Sequence, residues 1–406
     1  MIVFNYICIL EWIILVNLTF SFVIFFFTLI TAITTLKLKP KAKFYNSNLP
    51  TLTIIIPSRN ESRIIKRCLE SILKQKYPRL NVHIAINNSL QNQKDKMISI
   101  VRDYPEIFSY KDYGNMSREW LSGKSWVLNE VLLNFPNLGE YILFLDADVE
   151  LQSKFALATI LNVYLKKKKI SIISLLPKFK CNSLTERLVL HMVPSTLSLA
   201  GFLNNLFYKK NQNPNFSNLS GWFLFFKKSE LDEINNNINS VGLKSLKNCP
   251  FSDDIAIGRL FILNNKKIAN FFGGNIIEND MFSTSEKAII GMRRYGSNTY
   301  GAMSPFYKLL GCVLIISKVF PYIVLSIILF LFPLHIRLNS IIFNITLIVV
   351  GFSLISEYYI LHKCNVKGIL QVLLIPVSLF FYLWVFITNI KKKPLDFLDK
   401  YHTDIR

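Results

Sequence analysis

The chain has 406 residues, of which 51% are hydrophobic, with six cysteines and a formal charge of +21. Cys8, Cys68, Cys181, Cys249, Cys312 and Cys364 are scattered, with no C-x-x-C pair and no His/Cys ligand spacing, which speaks against a disulfide framework or a zinc site. The basic residues form no module with interleaved stacking aromatics, so no nucleic-acid partner is expected; many lysines instead flank apolar segments, as attraction to an anionic leaflet requires.

In chain order, Trp12 to Leu36 is a run of 25 residues without a charge. At about 1.5 Å per residue it spans a hydrocarbon core of ~30 Å. It is preceded only by Glu11 and lacks a small-residue cleavage site, so it reads as an anchor and not as a signal peptide. Lys37, Lys39, Lys41 and Lys43 follow, and the positive-inside rule places the next domain in the cytoplasm.

The middle of the chain alternates strands and helices. Leu52 to Ile56 is a β-rich run ending in Pro57, and Ile64, Ile65, Cys68, Leu69, Ile72 and Leu73 recur at helical spacing. Val82 to Ile86 is a second strand, Ser125 to Leu133 a helix and Tyr141 to Leu145 a third strand. This alternation predicts an α/β fold with a mostly parallel, Rossmann-like sheet and ligands at the carboxyl ends of its strands. Asn235 to Asn239 reads as a loop. Beyond it, Val319 to Leu334, Leu338 to Ile360 and Ile369 to Ile390 are candidate spans, with Phe306 to Ser317 as an alternative interfacial amphipathic helix. Three full spans would leave Lys391, Lys392 and Lys393 outside, so the count stays at two or three. The expected division is 1–43 anchor and basic flank, 44–304 α/β domain, 305–390 membrane region and 391–406 basic tail. The whole would be a multi-pass protein of the cell membrane.

Leu145-Asp146-Ala147-Asp148 puts two carboxylates one residue apart at the end of an apolar strand. Residues i and i+2 of a strand point to one side, where two such charges repel unless a cation sits between them. The bland alternative is a strand-end turn with solvated aspartates. Asp253-Asp254 has an equally plain alternative, favouring a helix N-terminus. Gly221-Trp222-Phe223 reads either as a strand lining a site or as an aromatic core strand. A P-loop at Gly123-Lys124-Ser125 is excluded, because Arg118 stands where the first glycine belongs.

Taken together, Pro57-Ser58-Arg59-Asn60-Glu61, Gly123-Lys124 with Leu128-Asn129, Asp146-Ala147-Asp148 and Asp253-Asp254 with Ile257-Gly258 resemble the inverting family 2 glycosyltransferases of GT-A fold, over about Leu52 to Tyr300. The layout is most similar to the membrane-bound single-transfer members, the carotenoid (diaponeurosporenoate) and ceramide glycosyltransferases. The resemblance implies a nucleotide-sugar donor, a UDP-sugar in preference, held by Pro57, Asn60, Glu61, Asn88, Lys124, Asp146 and Arg294. It implies a divalent metal, Mn²⁺ or Mg²⁺, ligated by Asp148 with Asp146 beside it. Asp254, next to Asp253, would be the general base, and Gly221, Trp222 and Tyr295 would line the acceptor side. A lipid acceptor follows indirectly, because the bilayer concentrates an amphiphile beside the site.

Two motifs depart from the family. Asn87 and Asn88 stand where aspartates are usual, and the Q-x-x-R-W element appears as Gly291-Met292-Arg293-Arg294-Tyr295. Two rivals share these motifs. A processive polysaccharide synthase would need more helices and the missing glutamine; an inactive GT-A-like scaffold would have no electrostatic reason to keep four acids.

Overall fold

The computed structural model describes residues 2–41, 48–190, 192–206, 212–238, 242–247, 253–280, 282, 284–301, 305–331, 340–366 and 369–389. The basic tail at 391–406, like Lys43 and Ser252, lies outside them.

The central strands form where the sequence runs apolar without alternation. β1 (Leu52–Ser58) and β4 (Tyr141–Leu145) are buried on both faces, as inner strands of a helix-covered sheet must be. With β2 (Leu80–Ile86), β3 (Phe108–Asp112), β6 (Ile170–Leu176), β8 (Phe223–Lys227) and β9 (Lys267–Phe272) they build a seven-stranded sheet in the order β3-β2-β1-β4-β8-β6-β9. β8 runs antiparallel to both of its neighbours, so the expected mostly parallel sheet is mixed: four pairings are parallel and two antiparallel. A smaller sheet, β5 (Val149–Leu151), β10 (Ile277–Asn279) and β7 (Lys178–Phe179), starts directly after Asp148.

Alternate strand residues feed two cores. Ile54, Leu143 and Phe225 pack against α2 (Ile65–Leu73), α3 (Gln91–Arg102) and α5 (Ala156–Lys166). Ile55, Phe144 and Phe226 pack against α4 (Gly123–Asn134), α8 (Lys228–Ile238) and α9 (Asp253–Leu263). The asparagine run at 235–237, expected as a loop, is the last part of α8. Asparagine is a weak helix former, but Leu231 and Ile234 anchor the helix in the core and override local preference.

α1 (Ile2–Thr34) begins ten residues before the expected run and packs against α7 (Met192–Leu206), which follows α6 (Leu184–Leu190). α10 (Ser285–Gly301), α11 (Pro305–Leu331), α12 (Ser340–Lys363) and α13 (Ile369–Asn389) close the chain. Among the described residues three helices are long and apolar enough to cross a bilayer: Ile9–Thr34, Lys308–Leu331 and Ser340–Lys363. The apolar part described in α13, Gln371–Trp384, is shorter. Phe306 to Ser317, read as a separate interfacial helix, continues unbroken into the second span.

Pro321 explains how that continuity survives. Proline has no N–H for the carbonyl four residues before it, which is Ser317. The Ser21 hydroxyl of α1 donates to that carbonyl at 2.7 Å, so the freed acceptor is satisfied without water. At the domain-proximal ends the bundle is tied to the sheet. Lys37 Nζ donates to the His362 carbonyl at 3.0 Å and Lys363 Nζ to the Thr35 carbonyl at 3.1 Å. Asn365 Nδ2 donates to the Gly274 carbonyl at 2.7 Å, and Leu36 and Leu38 bond the backbone of Phe272. Gly274 must be glycine here, since a Cβ would lie 2.7 Å from the Cys364 carbonyl oxygen.

Deeper in the bundle Lys318 pairs with Glu357 at 2.9 Å, with side chains 7% and 3% exposed, and Ser195 of α7 donates to the same carboxylate at 2.7 Å. Removing one partner strands the other charge. We therefore expect Lys318→Met to lower stability by about 3–5 kcal/mol and Lys318→Met/Glu357→Leu to restore most of it. Thermal unfolding of the detergent-purified chain checks this; equal losses in the single and double variants would contradict it.

Candidate active site

Three loops and two helix starts converge at the carboxyl ends of β1 and β4. The first loop follows β1. Pro57 is within that strand, and Asn60 takes a left-handed backbone with φ 58°, which asparagine tolerates. Asn60 Oδ1 accepts from Leu90 N at 2.7 Å, and its own N–H donates to Ser89 Oγ at 3.1 Å. This joins the β1 loop to the β2 loop, where Asn88 is also left-handed with φ 42°. Asn87 Nδ2 donates to the Gly123 carbonyl at 2.9 Å. The carboxylate usual in the family has no proton to make that bond, so the amide belongs to this local geometry.

α4 begins at Gly123, with Ser122 as its cap accepting from Ser125 N at 3.3 Å. The helix start presents Lys124. Its ammonium lies 2.6 Å from Asp146 Oδ1 and 3.0 Å from Asp253 Oδ2, and 3.4 Å from the Gly221 carbonyl. One cation thus joins the aspartates after β4 to those that open α9. Asp146, Asp253 and Asp254 hold the ammonium charged well above the usual lysine range, against the cost of burial.

Gly221 completes the junction. Its N–H donates to Asp254 Oδ2 at 2.8 Å, while Asp254 Oδ1 accepts from Ile255 N at 2.8 Å. A Cβ on Gly221 would sit 3.3 Å from the Lys124 nitrogen and 3.4 Å from Asp254, so glycine lets the backbone approach both. Burial and then the neighbouring Asp253 charge push the Asp254 carboxyl up to about 7. Asp253 and Asp254 therefore open a helix, as their plain alternative holds, and also face a site.

Asp148 is held from behind. Asp280 N and Asn279 Nδ2 donate to its carbonyl at 3.3 and 3.5 Å, so β10 fixes it. Sequence reasoning passed over Asn279 and Asp280; the only signal was an apolar run, Ile276-Ile277, ending in polar residues. Asp148 Oδ1 is buried without a hydrogen-bond partner, and burial with the Asp146 charge pushes the carboxyl up to about 7. Glu61, expected at the nucleoside, sits near both aspartates: burial first, then Asp148 and Asp146, raise it to about 8.

Among the described residues no group of three His, Cys, Asp or Glu side chains is placed to hold a metal ion by itself. The orphaned Asp148 oxygen in a field of repelling carboxylates nevertheless fits a hard divalent cation that takes its other ligands from a bound substrate.

The other expected residues divide. Trp222 is 8% exposed and packs edge-on to Phe179 at 5.2 Å, so its ring is core; its carbonyl accepts from Asp146 N at 3.2 Å. Arg294 and Tyr295 lie on α10, their side chains outside the described set. At Gly291 the Phe282 ring occupies the space a side chain would enter, which accounts for the missing glutamine.

This arrangement sets acids after a central strand opposite acids at a helix start, with Lys124 between them. Residues 53–234, a little under half of the chain, match the family described as Glycosyl transferase family 2. The chain is 31% identical over 138 residues to 4,4'-diaponeurosporenoate glycosyltransferase of Staphylococcus aureus, 34% of each chain. It is 27% identical over 127 residues to the Staphylococcus haemolyticus enzyme of that name, 31% of this chain and 32% of the other. The match thus spans about a third of these relatives. A mannosyltransferase of Pyrobaculum calidifontis, solved with GDP-mannose and Mn²⁺, shares the fold with a TM-score of 0.53 over 95% of this chain and 99% of its own, at 13% identity.

Lys124→Met removes the shared counter-ion. Because the Lys124 charge lowers the Asp254 carboxyl, its loss should move that group's midpoint above about 7 and weaken donor binding. The pH profile of kcat/KM in the variant measures the shift; a midpoint that moves down would refute the assignment.

Proposed function

We propose that the chain is a membrane-bound glycosyltransferase that moves one sugar from a nucleotide sugar, preferably a UDP-sugar, to a hydroxyl of a membrane lipid with inversion. The carrying observation is the pair of acid clusters joined through Lys124, with Asp254 oriented by the Gly221 amide. Residues 44–304 form the catalytic unit and face the cytoplasm, where the lysines after α1 place it. Residues 1–43 and 305–390 anchor it, and 391–406 is the basic tail.

The donor lies over the β1 loop, with Pro57, Asn60, Glu61 and Asn88 around the nucleoside and Lys124, Asp146 and Arg294 towards the diphosphate. A divalent cation at Asp148, Mn²⁺ or Mg²⁺, would neutralise the charge that develops on the departing nucleoside diphosphate. Asp254 takes the proton of the acceptor hydroxyl as that oxygen bonds to the anomeric carbon and the bond from that carbon to the phosphate oxygen breaks. Asp253 keeps Lys124 close by and raises the basicity of Asp254. Gly221 leaves room for the acceptor, with Tyr295 on the same side and Trp222 supporting the loop from the core.

The staphylococcal relatives are named for a carotenoid acid, which makes an amphiphilic acceptor reasonable here. A carboxylic acid is ionised at neutral pH and needs no base. A buried aspartate raised to about 7 has a purpose with a hydroxyl acceptor.

Asp254 works when deprotonated, so kcat/KM should rise with pH through a midpoint near 7. Asp254→Asn should abolish that limb and lower kcat by roughly 10²- to 10⁴-fold, with nucleotide-sugar affinity unchanged. Steady-state kinetics together with calorimetric donor titration test the assignment. Collapsed donor affinity with turnover retained would make Asp254 a binding residue instead.

A further inference from the structure

A cavity of about 560 Å³ lies at the β9 edge of the sheet, with β8 and β6 between that edge strand and β4. Its walls come from the domain-proximal end of α1, from α7 and from the edge strand β9. We propose that this cavity binds an anionic membrane phospholipid whose headgroup carries free hydroxyls.

Four observations select that ligand. First, α1 is one of the helices long enough to cross a bilayer, and Ile30, Thr31 and Thr34 at its end line the cavity with Thr35 and Leu36 just after it, so the cavity opens beside membrane. Second, Leu197, Phe202 and Phe271 give it apolar walls able to hold the first carbons of acyl chains. Third, Lys167 and Lys267 are exposed on its lining, no carboxylate joins them there, and neither ammonium has an acidic partner among the described residues. The charge is therefore one-sided, as a phosphate requires. Fourth, Asn270 faces the cavity with its amide nitrogen donated to the Asn218 carbonyl at 2.7 Å, while its buried Oδ1 has no hydrogen-bond partner. A buried acceptor left open costs free energy that a ligand donor recovers. A headgroup hydroxyl supplies that donor; the quaternary ammonium of phosphatidylcholine does not.

β9 is already capped on either side of this position. The Gln212 side chain exchanges two bonds with Ile268, at 3.0 and 2.7 Å, and Leu36 and Leu38 bond Phe272. Asn270 lies between these closed points, which leaves a gap in the edge within the cavity lining. The headgroup would fill that gap and tie the end of α1 to the sheet. The inference is independent of the transfer reaction, because nothing in it involves Asp148 or Asp254.

The test uses the detergent-purified full chain with photoactivatable phosphatidylglycerol and phosphatidylcholine of matched acyl chains, followed by peptide mapping. Phosphatidylglycerol should label peptides of α1, α7 and β9 in preference to phosphatidylcholine. Lys167→Glu/Lys267→Glu, changes on exposed side chains that leave the core alone, should lower that labelling by about tenfold. Ser198→Phe, which fills the cavity, should lower it further. Equal labelling by the two lipids, or labelling unaffected by the charge reversal, would overturn the proposal whether or not Ser198→Phe folds.

Discussion

The site rests on one buried ammonium among carboxylates. Glu61, Asp146, Asp148, Asp253 and Asp254 come from three separate stretches of chain, and without Lys124 their mutual repulsion would drive the loops apart or protonate them. Burial first, and then that repulsion, raise the carboxyls of Glu61, Asp148 and Asp254. A site with an excess of negative charge is poised for a partner that brings cations with it. A nucleoside diphosphate with its divalent ion has that character, and a bare anion does not.

The second constraint is the junction of sheet and bundle. The ends of α1 and α12 are cross-tied by Lys37 and Lys363, and both reach the turn after β9. That turn leads into β10, whose Asn279 and Asp280 hold Asp148. The membrane helices and the D-A-D aspartate are therefore linked through one short rigid segment. An enzyme acting on an amphiphile gains from this, because the height of the site above the bilayer is fixed by backbone bonds and not by a flexible linker. The Ser21 bond to the carbonyl freed by Pro321 serves the same end inside the bundle.

What was legible in the sequence was whatever depends on neighbours in the chain. β1 and β4 showed as apolar runs, α4 as the helix over Ser125 to Leu133, and the acids by standing at the ends of those elements. The side of the chain that stayed hidden depends on distant contacts. The antiparallel insertion of β8 is decided by its pairing with β4 and β6, which no local pattern encodes. The asparagine helix is decided by two apolar anchors beneath it. Trp222, next to a glycine that faces the site, turns its ring into the core against Phe179 just before β8 begins. Asn87 and Gly291 looked like losses from a family pattern; one donates a bond only an amide can make, and the other yields to Phe282. Lys124 was read as a phosphate contact, and its place between two acid clusters became visible only in three dimensions.

The central claim is that these joined acids transfer one sugar to a lipid. Purified full-length chain, incubated with native membrane lipids, Mn²⁺ and a panel of nucleotide sugars, gives the direct reading through the masses of the extracted lipids. The account predicts one lipid species displaced by a single sugar residue, formed from one donor and not formed by the Asp254→Asn variant. A ladder of additions on one acceptor, or the same product from the variant at an undiminished rate, would contradict it.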